Sequence, residues 1–177
     1  MERYNSCLVT FFETKISGIK ADNFIRNSSF DNSLKVEAKG FSSGISILWR
    51  KELDVNIIQV SNQFIHMIFK FDYHKSSCYA TMVYVSPNAK KRVVVWNQLL
   101  SIAPLDNEPW VLGGNLNAIV STNERRGGTR NGGLLDLGYV GPKFTWGRRN
   151  LFQRLDRCIG NKEWINMFPN FLVKHLE

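Results

Sequence analysis

One short stretch, residues 110–117, limits what this chain can fold into more than any other. It reads Trp-Val-Leu-Gly-Gly-Asn-Leu-Asn, so three apolar residues typical of a strand covered on both faces meet two glycines. The glycines allow a sharp turn or a close approach of the backbone to a ligand. Asn115 and Asn117 are two positions apart, so an extended backbone would point both to one side. The stretch predicts a buried strand ending in either a polar site or an asparagine-rich turn.

The segments around this stretch are mostly strand-like. We predict a buried strand at residues 6–12 and further strands at 34–38, 45–49, 53–60, 64–71 and 78–85. Residues 88–103 have the spacing of a helix that Asn88 can cap, with an apolar stripe at Val93, Trp96, Leu99, Leu100 and Ala103. A short amphipathic helix is predicted at residues 161–168. A helix between two strands indicates an α/β layered domain.

The strand at residues 64–71 alternates between two kinds of side chain. Ile65, Met67, Phe69 and Phe71 share one face, which predicts a half-buried antiparallel strand. His66 falls on the opposite, wetter face. Neither it nor His74 has a nucleophile or a metal-ligand spacing nearby, so we expect no catalytic role for either.

Composition limits the class of protein. A chain of 177 residues, 44% hydrophobic and 12% aromatic, is expected to form a single globular domain, residues 1–177. Its N-terminus lacks the pattern of a signal peptide, and no apolar run reaches membrane-spanning length. We therefore expect an intracellular protein of the nucleus or cytoplasm, neither secreted nor membrane-bound. Three widely spaced cysteines indicate neither a disulfide framework nor a zinc site.

The formal charge of +8 favours anionic partners, and DNA or RNA fits best. Part of the positive charge lies in a glycine-rich loop, and part lies between residues 143 and 149. These candidate nucleic-acid rim residues are Arg125, Arg126, Arg130, Lys143, Arg148 and Arg149. The alternative is that each group is an ordinary solvated loop or helix face.

Three further polar residues stand at or near the ends of predicted strands. The residues alone leave open whether Glu13 is a site ligand or a surface residue at a turn. Tyr84 is either a site residue or a core aromatic whose hydroxyl reaches the surface. Asp156 is either a site residue or half of a surface ion pair with Arg154 or Arg157.

Taken in order, five motifs resemble the endonuclease/exonuclease/phosphatase family, which is deoxyribonuclease I-like, in the version carried by plant LINE-type retrotransposons. The motifs are Glu13-Thr14-Lys15, Tyr84-x-x-Pro87, Gly114-Asn115-x-Asn117, Phe144-Thr145-Trp146 and Arg154-Leu155-Asp156. The resemblance implies a four-layer α/β/β/α sandwich of two mixed, mostly antiparallel sheets. Loops at one end of that sandwich would form a magnesium-dependent phosphodiesterase site.

The resemblance also implies a role for each matching residue. Glu13 would bind Mg²⁺, Tyr84 and Asn117 would contact the phosphate, and Asp156 would orient a histidine. The family's water-activating aspartate falls on Asn115, an amide that cannot take up a proton. Losing a general base lowers a rate by about 10² to 10⁴.

Two further parts of the family pattern fall outside this sequence. A first asparagine strand would lie before Met1, and the histidine beyond Glu177, so we expect a truncated domain, incomplete at both termini and poorly soluble alone. The main hypothesis is therefore a degenerate endonuclease domain with little or no catalysis. The alternatives are an active magnesium-dependent endonuclease or phosphatase, and a non-catalytic nucleic-acid-binding remnant.

Overall fold

The structure is a computed structural model that describes residues 6–12, 23, 25–37, 44–71, 76–105, 107–117 and 133–176. The strands in these ranges are β1 Leu8–Phe12, β2 Asn32–Val36, β3 Ile45–Trp49, β4 Leu53–Val60, β5 Phe64–Phe71, β6 Cys78–Tyr84, β7 Trp110–Asn115, β8 Leu135–Asp136, β9 Trp146–Arg148, β10 Leu151–Gln153 and β11 Asp156–Gly160. The helices whose bounds it describes are α1 Ala89–Ser101 and α2 Lys162–Met167. The predicted strands and both predicted helices are present, with ends shifted by two residues or fewer.

The strands form one large sheet, one small sheet and a hairpin. The large sheet has six strands in the order β4-β5-β6-β7-β11-β8, and the small sheet has the order β1-β3-β2. The strands β9 and β10 pair with each other as a hairpin. Only β6 and β7 are parallel among the paired strands that the structure describes. Because α1 connects them, a mixed, mostly antiparallel α/β arrangement results, as predicted.

A hydrophobic core fills the space between the two sheets. Ile45 and Ile47 of β3 pack there with Ile65, Met67 and Phe69 of β5. The last three occupy the face that the alternation predicted, so their inward positions are confirmed. Two apolar sheet faces that meet in this way form the centre of a layered sandwich.

The second core lies on the other face of the large sheet, under α1. Trp110 and Leu112 of β7 pack there with Val95 and Leu99 of the helix. The predicted stripe was wrong at two positions, because Val93 and Leu100 are 60% and 45% exposed. The buried stripe runs instead through Val95 and Leu99, with Trp96 and Ala103 packed beside it.

Two other predictions of burial were wrong. The strand β1 was expected to be buried, but all its residues are only half-buried because it lies at the edge of the small sheet. His66 was expected on a wet face, but it is 2% exposed. The face of β5 that carries His66 is covered because its neighbours include the rings of Tyr79 and Trp110.

Candidate functional site

Three of the predicted site residues lie side by side at one end of the large sheet. Tyr84 is the last residue of β6 and pairs with Asn115, the last residue of β7. Asp156 is the first residue of β11 and pairs with Asn115 from the other side. Residues paired in register share a face of the sheet, so the three side chains emerge together. We call Tyr84, Asn115 and Asp156 the strand-end row.

The residue in the middle of the row also makes a turn. The Asn115 side-chain Oδ1 accepts a hydrogen bond from the Asn117 backbone N–H at 2.9 Å. Asn117 has a φ of 43°, in the left-handed region that asparagine tolerates. The chain is therefore not extended here, and the asparagine-rich turn that the sequence left open as an alternative is present. Asn117 Nδ2 instead donates to the Val85 carbonyl at 2.7 Å.

The backbone before this turn requires a glycine. Gly114 has a φ of +136°, and a Cβ atom there would lie 2.1 Å from the Val83 carbonyl oxygen and 2.8 Å from the Phe12 ring. Gly113 has no such restriction, since its nearest neighbours would be 3.7 Å away or more. Gly114 lets β7 approach β6 closely, and this approach brings Asn115 beside Tyr84.

Tyr84 has its ring in the core between the sheets. It is 9% exposed, and its ring stacks against that of Phe12 with centroids 6.4 Å apart. Its backbone N–H donates to the Gln63 carbonyl at 2.8 Å. Phe12 is the last residue of β1 and precedes Glu13, the predicted metal ligand, which lies outside the described residues.

Asp156 is held by a hydroxyl group that the sequence did not single out. Thr145 Oγ1 accepts hydrogen bonds from the backbone N–H groups of Asp156 at 3.1 Å and Leu155 at 3.0 Å. Arg154 and Arg157, the alternative ion-pair partners considered for Asp156, both pair with Asp136. Thr145 lies in the Phe-Thr-Trp motif, so the motif was the signal that could have found it.

Both arginines bind another carboxylate, that of Asp136. Arg154 and Arg157 donate to it at 2.9 Å and 2.7 Å. Burial raises the pKa of Asp136, but hydrogen bonds from Arg154, the Gly138 N–H and Arg157 outweigh burial and hold the pKa below its usual value. Asp136 was not predicted as an ion-pair residue, because its partners are 18 and 21 residues away.

The rim residues that the structure describes lie on or next to the β9–β10 hairpin. Lys143, Arg148 and Arg149 are all exposed, and Arg149 has a left-handed φ of 53° at the turn. Exposed rings accompany them, and Lys143 Nζ lies 5.5 Å from the Phe144 ring centroid. The hairpin begins directly after Thr145, the residue that holds Asp156. Arg125, Arg126 and Arg130 lie outside the described residues.

The two described histidines are both engaged away from the row. The His66 ring lies 2.8 Å from Thr81 Oγ1, which also accepts a hydrogen bond from Trp110 Nε1 at 2.9 Å. Burial lowers the pKa of His66 to about 4, so its ring is neutral near pH 7. We call His66, Thr81 and Trp110 the His66 cluster.

The other described histidine, His175, lies near the C-terminus. Its Nδ1 donates to the Pro142 carbonyl at 2.8 Å, and its ring stacks on Tyr139 with centroids 4.3 Å apart. The segment around it makes a bridge between Lys174 and Val140. His175 therefore contacts the chain after β8 and not the strand-end row.

The donor groups in the row are oxygen-rich but not a complete metal site. Among the residues that the structure describes, no group of three or more histidine, cysteine, aspartate or glutamate side chains could hold a metal ion. Asp156 supplies a carboxylate, whereas the Asn115 oxygen already accepts a hydrogen bond. The described residues alone do not fit a magnesium ion, which prefers several free oxygen ligands.

Sequence comparison now decides the family. The model for the Endonuclease/Exonuclease/phosphatase family matches residues 9–166, which include every member of the strand-end row. The chain belongs to this family. The family contains nucleases and phosphatases, and its members generally use divalent metal ions. No protein of curated function matches the sequence.

Solved structures agree with this endonuclease/exonuclease/phosphatase fold. Truncated TDP2 from Caenorhabditis elegans is 16% identical, with a TM-score of 0.61 over 90% of this chain and 73% of its own. A longer C. elegans TDP2 structure is covered over 56% of its length. At this identity the likeness shows the fold alone.

Two further relatives come from nucleic-acid enzymes. D. rerio TDP2 complexed with single strand DNA product is 15% identical, with a TM-score of 0.62 over 90% of this chain and 72% of its own. The endonuclease domain of TRAS1, a telomere-specific non-LTR retrotransposon, is 15% identical, with a TM-score of 0.53 over 76% of this chain and 68% of its own. Within the described part of the chain, no helix is long and apolar enough to cross a membrane.

Proposed function

We propose that this chain is a degenerate phosphodiesterase domain of the kind that plant LINE-type retrotransposons carry, with little or no hydrolytic activity. One observation carries the proposal. Asn115 stands in register between Tyr84 and Asp156, where the family resemblance implies the aspartate that activates water. The similarity of the fold to the TRAS1 endonuclease domain supports a retrotransposon origin.

The hydrogen bonding of Asn115 shows why an amide fails in this role. The Asn117 N–H can be accepted only by Oδ1, so this bond fixes the orientation of the amide. The other terminal group of the Asn115 side chain is then the NH₂ group, which donates hydrogen bonds and cannot take a proton from water. An aspartate would make the same turn with one oxygen and keep the other as a base.

A divalent ion, Mg²⁺ by the family resemblance, would depend on Glu13 as its ligand. Phe12, the residue before Glu13, stacks on Tyr84, which supports placing the ligand at this end of the sheet. Bound there, the metal would neutralise charge on phosphate oxygens. Tyr84 and Asn117 would contact the phosphate, and Asp156 would orient a histidine if a longer protein supplies one.

The test is nicking of supercoiled plasmid by purified protein with and without magnesium. We expect no nicking above that of a matched preparation of the Glu13→Ala variant. Magnesium-dependent nicking by the wild type that disappears in Glu13→Ala would overturn the proposal and establish an active enzyme.

We further propose that the domain retains contact with nucleic acid. The β9–β10 hairpin favours this, because it presents Lys143, Arg148 and Arg149 next to exposed rings, and aromatic rings can stack on bases. The loop residues Arg125, Arg126 and Arg130 would extend this rim. The DNA-bound TDP2 of D. rerio supports a nucleic-acid partner. Such a domain would act inside the cell, in the nucleus or cytoplasm.

Retention of DNA at increasing salt tests this second proposal. Binding that weakens steeply with salt, and with a smaller slope in an Arg148→Ala, Arg149→Ala double variant, is expected. Binding that is absent at low salt would contradict it. Lys35→Ala is a suitable control, because Lys35 lies on β2, pairs with Glu37 and is not part of the hairpin.

A further inference from the structure

One arginine joins the two chain segments that carry the candidate phosphate contacts. Arg92 lies in the first turn of α1, and its Nη1 donates to the Pro87 carbonyl at 2.6 Å and to the Asn117 carbonyl at 3.2 Å. Pro87 follows Tyr84 by three residues, and Asn117 follows the row residue Asn115 by two. A single guanidinium therefore connects the end of β6 to the turn after β7.

This contact completes the restraint of Asn117. The Asn117 N–H is held by Asn115 Oδ1, its Nδ2 by the Val85 carbonyl, and its own carbonyl by Arg92. The residue keeps a left-handed backbone, which has little intrinsic stability for a non-glycine residue. With these three bonds made, the second N–H of the Asn117 Nδ2 group is the side-chain donor that remains for a phosphate oxygen.

Arg92 forms no ion pair with an acidic residue in the described parts of the chain. Its guanidinium contacts two carbonyls there, and no described carboxylate lies within ion-pair distance. A cation that binds carbonyls keeps its full charge for an incoming anion. Lys90 and Lys91 lie in the same turn, and their backbone N–H groups are capped by Asn88.

We propose that Arg92 is a positioning residue that sets Asn117 at the strand-end row for contact with a nucleic-acid phosphate. The inference rests on the proposed nucleic-acid binding and adds to it a residue outside the family motifs. Arg92 acts through Asn117, because its guanidinium extends from α1 to the carbonyls of both Pro87 and Asn117. Its charge adds a smaller, general attraction.

Amide hydrogen exchange tests the positioning without any ligand. In Arg92→Ala we expect protection of the Asn117 N–H to fall about tenfold, because a hydrogen bond from a charged group has been lost. Protection of the Leu116 N–H, which donates to the Leu155 carbonyl, should not change. Lys91→Ala is the matched control and should alter neither amide. Unchanged Asn117 protection in Arg92→Ala overturns the proposal.

Binding of a short fluorescent DNA duplex without magnesium tests the consequence. We expect Arg92→Ala to bind about tenfold more weakly than Lys91→Ala, although each removes one charge, and Arg92→Lys to recover little of the loss. In a double-mutant cycle, Asn117→Ala should add little to Arg92→Ala, whereas a merely structural role would give additive losses. Equal binding by the Arg92→Ala and Lys91→Ala variants, or full rescue by lysine, overturns the proposal.

The two experiments separate this proposal from the one on which it rests. Wild-type protein that retains no DNA refutes the proposed nucleic-acid binding and the phosphate role of Asn117. Hydrogen exchange at the Asn117 N–H then still decides whether Arg92 holds Asn117 in place. Wild-type binding together with unchanged exchange refutes Arg92 as the positioning residue and leaves nucleic-acid binding standing.

Discussion

The strand-end row and the His66 cluster are both polar groups on the large sheet, but they differ in how their polar atoms are satisfied. In the His66 cluster, the side chains of His66, Thr81 and Trp110 satisfy one another and are almost fully buried. In the row, Asn115 and Asp156 are half-buried, and each described bond involves the backbone: Asn115 Oδ1 accepts from the Asn117 N–H, and the Asp156 N–H donates to the Thr145 hydroxyl. A closed side-chain network stabilises a core, whereas groups tied through the backbone leave side chains available to a ligand.

The largest effect is expected at the glycine that shapes the row. Gly114→Ala should lower the free energy of unfolding by about 4 kcal/mol, since it adds a side chain at positive φ against the Val83 carbonyl. Gly113→Ala, with open space around its Cβ, is the control and should cost less than about 1 kcal/mol. Urea unfolding measures both. Equal losses would mean that the close approach of β7 to β6 does not require glycine.

The His66 cluster should respond to acid. The pKa of His66 is about 4 in the folded protein and 6.5 in a model peptide, so the unfolded chain binds the extra proton between these values. Stability is therefore lost as pH falls from 6.5 towards 4, by roughly 3 kcal/mol. Unfolding of wild type and His66→Leu should be compared across this window. Parallel pH profiles would contradict the assignment.

Placing an aspartate at position 115 is expected to change the rate of hydrolysis but not the free energy of unfolding. Asn115→Asp should raise magnesium-dependent plasmid nicking about 10²-fold over the wild-type background, the lower end of the range for a general base. The unfolding free energy should stay within about 0.5 kcal/mol, because aspartate makes the same turn. Asn117→Asp is the control and should not activate the protein. An inactive Asn115→Asp variant would show that this amide is not what limits hydrolysis.

A smaller effect on stability is expected at Asp136. Its side chain is partly exposed, as in the strand-end row, but it is bound by other side chains, as in the His66 cluster. Asp136→Asn should cost about 2 kcal/mol at neutral pH, since Arg157 is only 8% exposed and its ion pair with Asp136 is lost. The folded pKa of Asp136 is lowered, so its contribution exists above the unfolded pKa and is lost as pH falls through the folded one. The difference between variant and wild type should therefore shrink in acid, whereas Asp54→Asn on β4 should show little difference.

Local patterns predicted β1 to β7 and both helices, but not the C-terminal strands β8 to β11. The alternation in β5 and the composition before Gly113 identified buried faces, because side chains repeat every two residues in a strand. The same local rules failed for His66 and for Val93. Whether a face is covered depends on elements far away in the chain, as with Trp110, which covers His66 from β7.

The candidate site was predictable only where motifs mark it. Tyr84, Asn115 and Asp156 were expected together from the family resemblance, and the strand register brings them into one row. Gln63 and Arg92 were not predicted as supports. The Gln63 carbonyl accepts from the Tyr84 N–H, and Arg92 donates to two backbone carbonyls. Backbone carbonyls are present at every position, so such bonds leave no pattern in the sequence. For Asn115 and Asn117 the sequence left open a polar site or a turn, and the left-handed backbone of Asn117, which local patterns do not predict, makes the turn.

The turn at Asn115 has a consequence for how such a domain changes over generations. Asparagine and aspartate close this turn with the same oxygen atom, so exchanging them leaves folding almost unaffected. Their codons differ by a single base. One nucleotide change can therefore remove or restore the general base of the pocket. Selection that acts on folding alone would not eliminate either form.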